Sequence, residues 1–252
     1  MFQNRIFAVL IIFLLLTIAG CNKGLDSSSS PKKYQMDLTN LPKKNQNIMK
    51  TKSGGGTLTF FPASIEVVVN KKYYIPPNYV PNDLVYPNVP FIFKEKVEKR
   101  KMRREAAKAL EKMFAAAKKD GIYLRGVSAY RSYATQKRLF DSYVKRDGYQ
   151  KARTYSAIPG TSEHQTGLAI DVSGSSGKCA AAPCFANTKE AEWLNKNSAI
   201  YGFIIRYPKR KESITGYRYE PWHIRYVGKI SMAIKKHDIT LEEYLNVKSV
   251  SK

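Results

Sequence analysis

The chain has little of several residue types that define specialised protein classes. Its 252 residues include only three cysteines, three histidines, two tryptophans, 15 glycines and 12 prolines. So few glycines and prolines exclude collagen-like and low-complexity fibres, and no repeat of about 20–50 residues is visible. The 43% of hydrophobic residues instead predicts a globular domain with a sizeable core.

Two common hydrolase motifs are also missing. The sequence contains neither G-x-S-x-G nor H-E-x-x-H, which excludes a serine-hydrolase elbow and a thermolysin-type zinc helix. The S-x-x-K pattern of penicillin-binding serine enzymes occurs at Ser142 and Lys145, but this lysine-rich chain repeats it at other serines. The nearest analogue of the K-T-G motif, at 52–54, precedes Ser142, so a serine acyl-enzyme is a weak alternative.

The N-terminus has the layout of a secretory signal. Arg5 precedes an apolar run at 6–18, and Ala19 and Gly20 stand directly before Cys21. This layout resembles the lipobox of bacterial lipoproteins, in which the cysteine is diacylated and becomes the new N-terminus. An uncleaved anchor is the alternative, but the run is shorter than the roughly 20 residues that span a bilayer. Both interpretations hold the domain outside the cytoplasm, at the cell membrane of a bacterium.

Composition then divides the rest of the chain. Residues 1–20 are expected to be the signal peptide, and residues 21–64, rich in serine, lysine and asparagine, a lipid-anchored flexible tether. The globular domain is expected at 65–246 and a short tail at 247–252. Nothing in the pattern indicates an oligomer, so we expect a monomer.

The charge of the chain is strongly one-sided. Basic residues number 43 against 20 acidic ones, a formal net charge of +23 at pH 7. Nucleic acid is the usual partner of so basic a protein, but a secreted protein rarely meets it, so no such partner is expected. Lipid headgroups and anionic wall polymers are the remaining polyanions. A solvated basic surface is the simpler interpretation, because the lysines and arginines are spread along the chain.

Two cysteines remain once Cys21 is assigned to lipid. Cys179 and Cys184 lie close together in the sequence, and in an oxidising compartment they are expected to form a local disulfide. A zinc site is the alternative, but the C-x4-C spacing is unusual for zinc and no second cysteine pair exists.

Hydrophobic patterning predicts an α+β domain, with a small antiparallel sheet flanked by helices. We expect a hairpin of 65–69 with 73–75, and a long amphipathic helix over 94–119 that ends at Asp120 and Gly121. The other expected elements are strands at 122–129, 168–172, 203–207 and 222–227, helices at 133–145 and 188–199, and two short C-terminal helices, the second capped by Thr240 and Glu243.

Two of the three histidines have a carboxylate residue nearby in the sequence. His164 precedes a short apolar strand that contains Asp171, and His223 follows Glu220 by three residues. Two imidazoles and one carboxylate form a three-ligand zinc site that leaves a position for water. Glu220 is the spare carboxylate, suited to take a proton from that water if Pro221 bends the chain. His237 lies at a predicted helix C-terminus, where a capping role suffices.

These segments form a recognisable signature. The motif S-x-H-x-x-G-x-A-x-D at 162–171, followed by E-x-W-H at 220–223, resembles that of VanY-type D-alanyl-D-alanine carboxypeptidases. These are zinc peptidases of bacterial peptidoglycan with the hedgehog/DD-peptidase fold, and their relatives include L,D-carboxypeptidases. The resemblance implies that His164, Asp171 and His223 hold one Zn²⁺ ion and that Glu220 is the catalytic base.

The resemblance also assigns residues to the substrate. Arg131, in a Y-R-S segment, is expected to meet the scissile carbonyl or the terminal carboxylate, since a guanidinium binds a carboxylate in bidentate fashion. Gln136, Ser162 and Tyr207 are expected to contact the same end of the peptide.

Three functions remain open at this point. The first is removal of the last D-Ala from peptidoglycan stem peptides that end in D-Ala-D-Ala. The second is L,D-carboxypeptidase trimming of tetrapeptide stems to tripeptides, which uses the same groups. The third is a non-catalytic cell-wall binding lipoprotein, which would gain nothing from carboxylates beside its histidines.

Overall fold

The structure, a computed structural model, describes residues Thr57–Leu58 and 61–251. All of these belong to one unit of the chain, Lys43–Lys252. Within the described residues the strands are β1 (Thr57–Leu58), β2 (Tyr73–Tyr74), β3 (Leu84–Val85), β4 (Met102–Arg103), β5 (Leu124–Ser128), β6 (Ala169–Gly174), β7 (Phe203–Ile205) and β8 (His223–Tyr226). The α-helices are α1 (Arg104–Lys119), α2 (Tyr133–Asp147), α3 (Tyr149–Tyr155), α4 (Lys189–Asn197), α5 (Glu212–Thr215), α6 (Ser231–His237) and α7 (Leu241–Tyr244).

A four-stranded antiparallel sheet holds the domain together. Its order is β5-β6-β8-β7, and its register places Asp171 directly opposite His223 on the neighbouring strand. On the other side of β6, a shift in register between Gly126 and Ser128 brings Ser128 opposite Asp171. The predicted α+β class and the antiparallel sheet are confirmed, and the register alone brings two predicted metal ligands together.

Helix α1 covers part of the core with one apolar face. Its buried residues recur at helical spacing, from Ala106 through Leu110 and Phe114 to Ala117. The prediction that this helix begins near residue 94 was wrong, because the chain from Glu98 to Arg103 pairs with other segments instead. Its carbonyls accept hydrogen bonds from loop amides, and β4 pairs with β3, so tertiary pairing overrides helix propensity there.

The predicted N-terminal hairpin was also wrong. Tyr73–Tyr74 pairs in parallel with Thr57–Leu58, and residues 65–69 form no strand. The carbonyls of Ile65 and Val67 accept hydrogen bonds from the buried guanidinium of Arg225 instead. A pattern of apolar residues cannot show that a distant arginine will take these backbone acceptors.

The remaining predicted elements are confirmed, with ends that shift by a few residues. The Thr188 hydroxyl caps α4, and Thr240 with Glu243 forms the capping box that was expected for α7. Helix α3 was not predicted, and Gly148, with a φ of 78°, separates it from α2. No helix among the described residues is long and apolar enough to cross a membrane.

The chain beyond both predicted domain limits contacts the domain. Strand β1 pairs with β2, although it lies within the predicted tether. At the other end, the Val250 amide donates to the Ile214 carbonyl and Lys72 Nζ to the Ser249 carbonyl. The predicted signal peptide and Cys21 lie outside the described residues.

Candidate active site

Hydrogen bonds with the backbone fix the position of His164. It lies in a short 3-10 helix, Glu163–Thr166, and its Nδ1–H donates to the Ala129 carbonyl at 2.7 Å. The His164 carbonyl in turn accepts from the Arg131 amide at 3.1 Å. Because Nδ1 carries the proton, Nε2 has a free lone pair, and it lies 3.4 Å from Oδ2 of Asp171.

Gly167 explains why this turn can form. It ends the 3-10 helix in the left-handed conformation, with a φ of 68°. A Cβ added there would lie 2.9 Å from Leu84 Cδ2 and 3.1 Å from Arg103 Cγ. Gly167 therefore permits the left-handed turn and the close packing of Leu84 and Arg103 against it. Together these position His164 beside the sheet.

Asp171 and His223 form a cross-strand pair. Oδ1 of Asp171 lies 2.9 Å from Nδ1 of His223, and both residues are buried. Burial alone would raise the pKa of Asp171, but the adjacent imidazoles of His164 and His223 hold it far below its ordinary value. The carboxylate is therefore ionised and faces both imidazoles.

These residues fit a metal ion. One ligand atom from each of His164, Asp171 and His223 lies within 4.8 Å of the others. Two imidazole nitrogens with one carboxylate oxygen form a donor set that zinc takes in catalytic sites. Burial lowers the pKa of His223, but its hydrogen bonds to Asp171 and Glu163 outweigh it and raise the pKa to about 9. The carboxylates of Asp171 and Glu163 thus favour positive charge at His223.

A buried ionic cluster adjoins His223, formed by Glu163, Arg206, Arg225 and Glu242. Oε2 of Glu163 is 3.4 Å from Nε2 of His223, the ring atom that faces away from Asp171. Oε1 of Glu163 accepts from Arg206 Nε at 2.7 Å and from Arg225 Nη1 at 2.6 Å. Glu163 thus connects a predicted ligand with two arginines of the cluster. Its contact with Nε2 sets the orientation of the His223 ring.

All charges of the buried ionic cluster are satisfied. Arg206 makes a bidentate pair with Glu242, at 2.9 and 2.6 Å, and Asn70 Nδ2 donates to the same carboxylate. The side chains of Glu163, Arg206 and Arg225 have no exposed area. Although burial raises the pKa of Glu163, the two guanidinium groups lower it well below its ordinary value.

The sequence analysis did not identify this cluster. Glu163 stands at a position that the motif leaves unspecified, and Arg206 and Arg225 stand in or beside apolar strands. The sequence offered one signal of such a cluster. Arg206 and Arg225 are charged residues in or beside apolar segments, and a buried charge requires a partner. Nothing in the local sequence indicates which partners those are.

Glu220 faces the same cleft from the turn before β8. The His223 amide donates to the Glu220 carbonyl, and the Glu220 amide donates to the Tyr207 carbonyl. Burial raises the pKa of Glu220 to about 7, helped by the negative charges of Asp171 and Glu163, whereas His223 opposes this rise. The bend that the sequence analysis expected at Pro221 is present, and it places the carboxyl and the imidazole in one cleft.

The structure separates the predicted substrate-binding residues into two groups. Arg131, Ser162 and Tyr207 line the cleft, whereas Gln136 lies behind Arg131 and is not part of the lining. Its Oε1 accepts from Arg131 Nη1 at 2.8 Å, and its Nε2 donates to the Ala157 carbonyl at 2.6 Å. Gln136 therefore holds the guanidinium in position, and its expected contact with the substrate stays a prediction.

The cleft is concave and rich in tyrosine. It has a volume of about 420 Å³. Tyr207 stacks on the His223 ring at a centroid distance of 4.9 Å, and Tyr217 packs on Tyr207 at 4.6 Å. Burial raises the pKa of both phenols, so they remain neutral hydrogen-bonding groups. A cleft of this size with a few polar groups can enclose a short peptide.

The two cysteines of the domain form a disulfide. Cys179 and Cys184 are bonded, with their Cα atoms 5.6 Å apart. Ala181 and Pro183, within the closed loop, line the cleft. The disulfide loop is therefore one wall of the cleft as well as a local cross-link.

Comparison with known proteins gives a consistent result. The family model described as VanY, D-alanyl-D-alanine carboxypeptidase, matches residues 99–229. YodJ of Bacillus subtilis (strain 168), provisionally named a carboxypeptidase, is 53% identical over 184 residues, which cover 73% of this chain and 67% of that protein.

Two solved structures share the fold. The LD-carboxypeptidase LdcB, described with its peptidoglycan recognition, is 50% identical with a TM-score of 0.75 and covers 81% of this chain and 95% of that chain. The vancomycin-resistance D,D-pentapeptidase VanY, solved as a Glu-to-Ala variant with Zn(II), is 33% identical with a TM-score of 0.57. That match covers 72% of this chain and 98% of the other.

Proposed function

The chain belongs to the VanY family of D-alanyl-D-alanine carboxypeptidases, and we propose that it is a zinc enzyme that removes the C-terminal D-Ala from peptidoglycan stem peptides. The observation that carries this proposal is the convergence of His164, Asp171 and His223 beside the half-buried carboxyl of Glu220. When bound, zinc lowers the pKa of a water molecule and polarises a carbonyl oxygen.

The side chains of the cleft then have separate tasks. Glu220 accepts a proton from the attacking water and later donates it to the nitrogen of the departing D-Ala, a task that suits a carboxyl with a pKa of about 7. Arg131, held by Gln136 and Ser128, offers its remaining donors to the terminal carboxylate or the scissile carbonyl of the peptide. Tyr207 and Ser162 supply hydroxyls on the same cleft.

The reaction needs no covalent acyl-enzyme. Water attacks the carbonyl carbon, the peptide C–N bond breaks, and the proton from water passes through Glu220 to the amine. The products are a shortened peptide and free D-Ala, so all atoms come from the peptide and one water molecule.

A second candidate is the L,D-carboxypeptidase reaction on tetrapeptide stems. The specific observation in its favour is the LdcB structure, which is 50% identical over 95% of its length. Both reactions release one C-terminal D-Ala and use the same catalytic groups. They differ in the residue before the scissile bond.

The deciding experiment is mass spectrometry of products from synthetic pentapeptide and tetrapeptide stems. The zinc-loaded domain is compared with chelator-treated protein and with Glu220→Gln. Chelator-sensitive loss of one alanine that is absent in the variant supports the carboxypeptidase, and the preferred stem distinguishes the two specificities. No cleavage of either stem by zinc-loaded protein would contradict the proposal.

We also propose that the enzyme acts outside the cytoplasm, anchored by lipid on Cys21. The support is the charged, apolar and small-residue layout that precedes this cysteine. Metabolic labelling with a radioactive fatty acid is expected to label the wild type and not Cys21→Ala. Equal labelling of both would contradict the anchor.

A further inference from the structure

Cationic side chains gather at one edge of the cleft. Arg218 lines it, and Lys71 Nζ lies 4.9 Å from the centroid of the Tyr217 ring, which lines it too. Arg153 directly precedes Thr154 and Tyr155, which form another part of the lining. We refer to Lys71, Arg153 and Arg218 as the cationic rim.

The cationic rim has no acidic partner. Among the described residues, no aspartate or glutamate forms an ion pair with any of its members. Burial lowers the pKa of Lys71, and the positive charges of Arg153 and Arg218 lower it further, so each arginine lies close enough to Lys71 to repel it. By contrast, Arg146 and Lys151, on the same helical hairpin as Arg153, both pair with Asp147.

Repulsion of this kind is relieved by an anion in the cleft. Arg131 is already assigned to the end of the peptide at which cleavage occurs, so an anion at the rim is a separate group of the substrate. Tyr217 connects the two regions, since its ring contacts both Lys71 and Tyr207, and Tyr207 stacks on His223. A peptide whose C-terminus lies at the catalytic residues can therefore place an internal anionic group at the rim.

We propose that the cationic rim is a carboxylate-binding subsite, which selects peptides carrying a second free carboxylate before the scissile bond. This inference rests on the proposed function, because it assumes a peptide whose C-terminus is cleaved beside Glu220. It predicts that the enzyme distinguishes a peptide with an internal acid from the same peptide with a primary amide.

The test uses two synthetic stem peptides with the same D-Ala C-terminus. One carries a free carboxylate on its internal glutamate and the other a primary amide at that position. We expect the zinc-loaded wild type to have a kcat/KM about fivefold higher for the acid, the range of one partly exposed ion pair. In R153Q/R218Q this ratio is expected to fall to about one, and 1 M salt should reduce it in the wild type.

The matched control is Lys236→Gln, which removes the same kind of charge from α6, a helix that contributes no residue to the cleft. It is expected to keep the wild-type ratio. A ratio of one in the wild type, or an unchanged ratio in R153Q/R218Q, would overturn the subsite.

A binding measurement separates this inference from the proposed function. Affinities of both peptides for zinc-loaded Glu220→Gln, and for the same protein carrying R153Q/R218Q, are measured by calorimetry. A preference for the acid that disappears in the triple variant supports the rim even if neither peptide is hydrolysed. Equal affinities for the two peptides, with tighter binding of polyglycerol phosphate that R153Q/R218Q abolishes, would overturn it in favour of a wall-polymer site.

Discussion

The buried ionic cluster and the cleft both adjoin His223, but they differ in how their charges are paired. In the cluster, Glu163, Arg206, Arg225 and Glu242 are buried and every charge is paired. In the cleft and at its edge, Glu220 and the cationic rim form no ion pair among the described residues.

The difference follows from how far water can reach the charged groups of each region. In the interior an unpaired charge loses its hydration without compensation, so a stable fold requires every charge to be paired. In the cleft, water solvates the charge until substrate replaces it, so an unpaired charge is retained where a ligand can use it. The comparison separates residues that hold the site in place from residues that act on the substrate.

The largest expected effect is on activity after metal removal. A chelator should abolish release of D-Ala, and added zinc should restore it, because His164, Asp171 and His223 alone supply no activated water. A β-lactam should have little effect, since no serine acyl-enzyme is involved. Inhibition by penicillin together with resistance to chelators would contradict the mechanism, and an assay of D-Ala release measures both.

Loss of Glu220 tests the cleft side of the comparison. Glu220→Gln should lower kcat by roughly 10²–10⁴-fold, because it removes the general base. The denaturation midpoint should fall little, because this carboxyl has no ion-pair partner to leave unpaired in the interior. Stopped assays and a thermal melt of the same preparation check both points. A large loss of stability would assign Glu220 to the structural side instead.

Loss of Arg206 tests the buried side. Arg206→Met should lower the free energy of unfolding by about 3–5 kcal/mol, because Glu242 and Glu163 lose their partner without exposure to water. The control is R206M/E242L, which removes a complete pair and should recover part of the loss. Denaturant titration measures each value. A single variant as stable as the wild type would show that the cluster does not stabilise the fold.

The smallest effect is expected at an exposed ion pair. Glu192 and Lys196 pair at 2.6 Å on α4, but both side chains are about two-thirds exposed, at 66% and 67%. Glu192→Gln should leave the denaturation midpoint unchanged, since solvent already screens this pair. The same titration used for Arg206→Met provides the comparison. A loss as large as that of Arg206→Met would mean that burial does not decide the strength of these pairs.

Local patterns were sufficient for much of the fold and for four residues of the candidate site. Alternation and caps predicted β6, β8 and the capped helices, because each depends on residues close in sequence. His164, Asp171, His223 and Glu220 were predicted because they stand in two short motifs, and the structure brings all four to one cleft.

Predictions failed where distant contacts decide the conformation. Residues 65–69 were predicted as a strand, yet two carbonyls of this segment bind the Arg225 guanidinium from far along the chain. The start of α1 moved to Arg104 because the preceding segment pairs with β3 and with the loop after β5.

The amino-acid sequence by itself determined the available chemistry, namely the imidazoles and carboxylates of two short motifs, because motifs depend on residue types at short spacing. The resemblance to the VanY family supplied the roles proposed for these residues and for Arg131. Only the tertiary structure decided how charges are distributed around that chemistry. Glu163 pairs with Arg206 and Arg225, which are far from it in the chain. The cationic rim likewise brings together Lys71, Arg153 and Arg218, which are far apart in the chain. Coulomb interactions depend on distance and burial, and neither is encoded in local sequence.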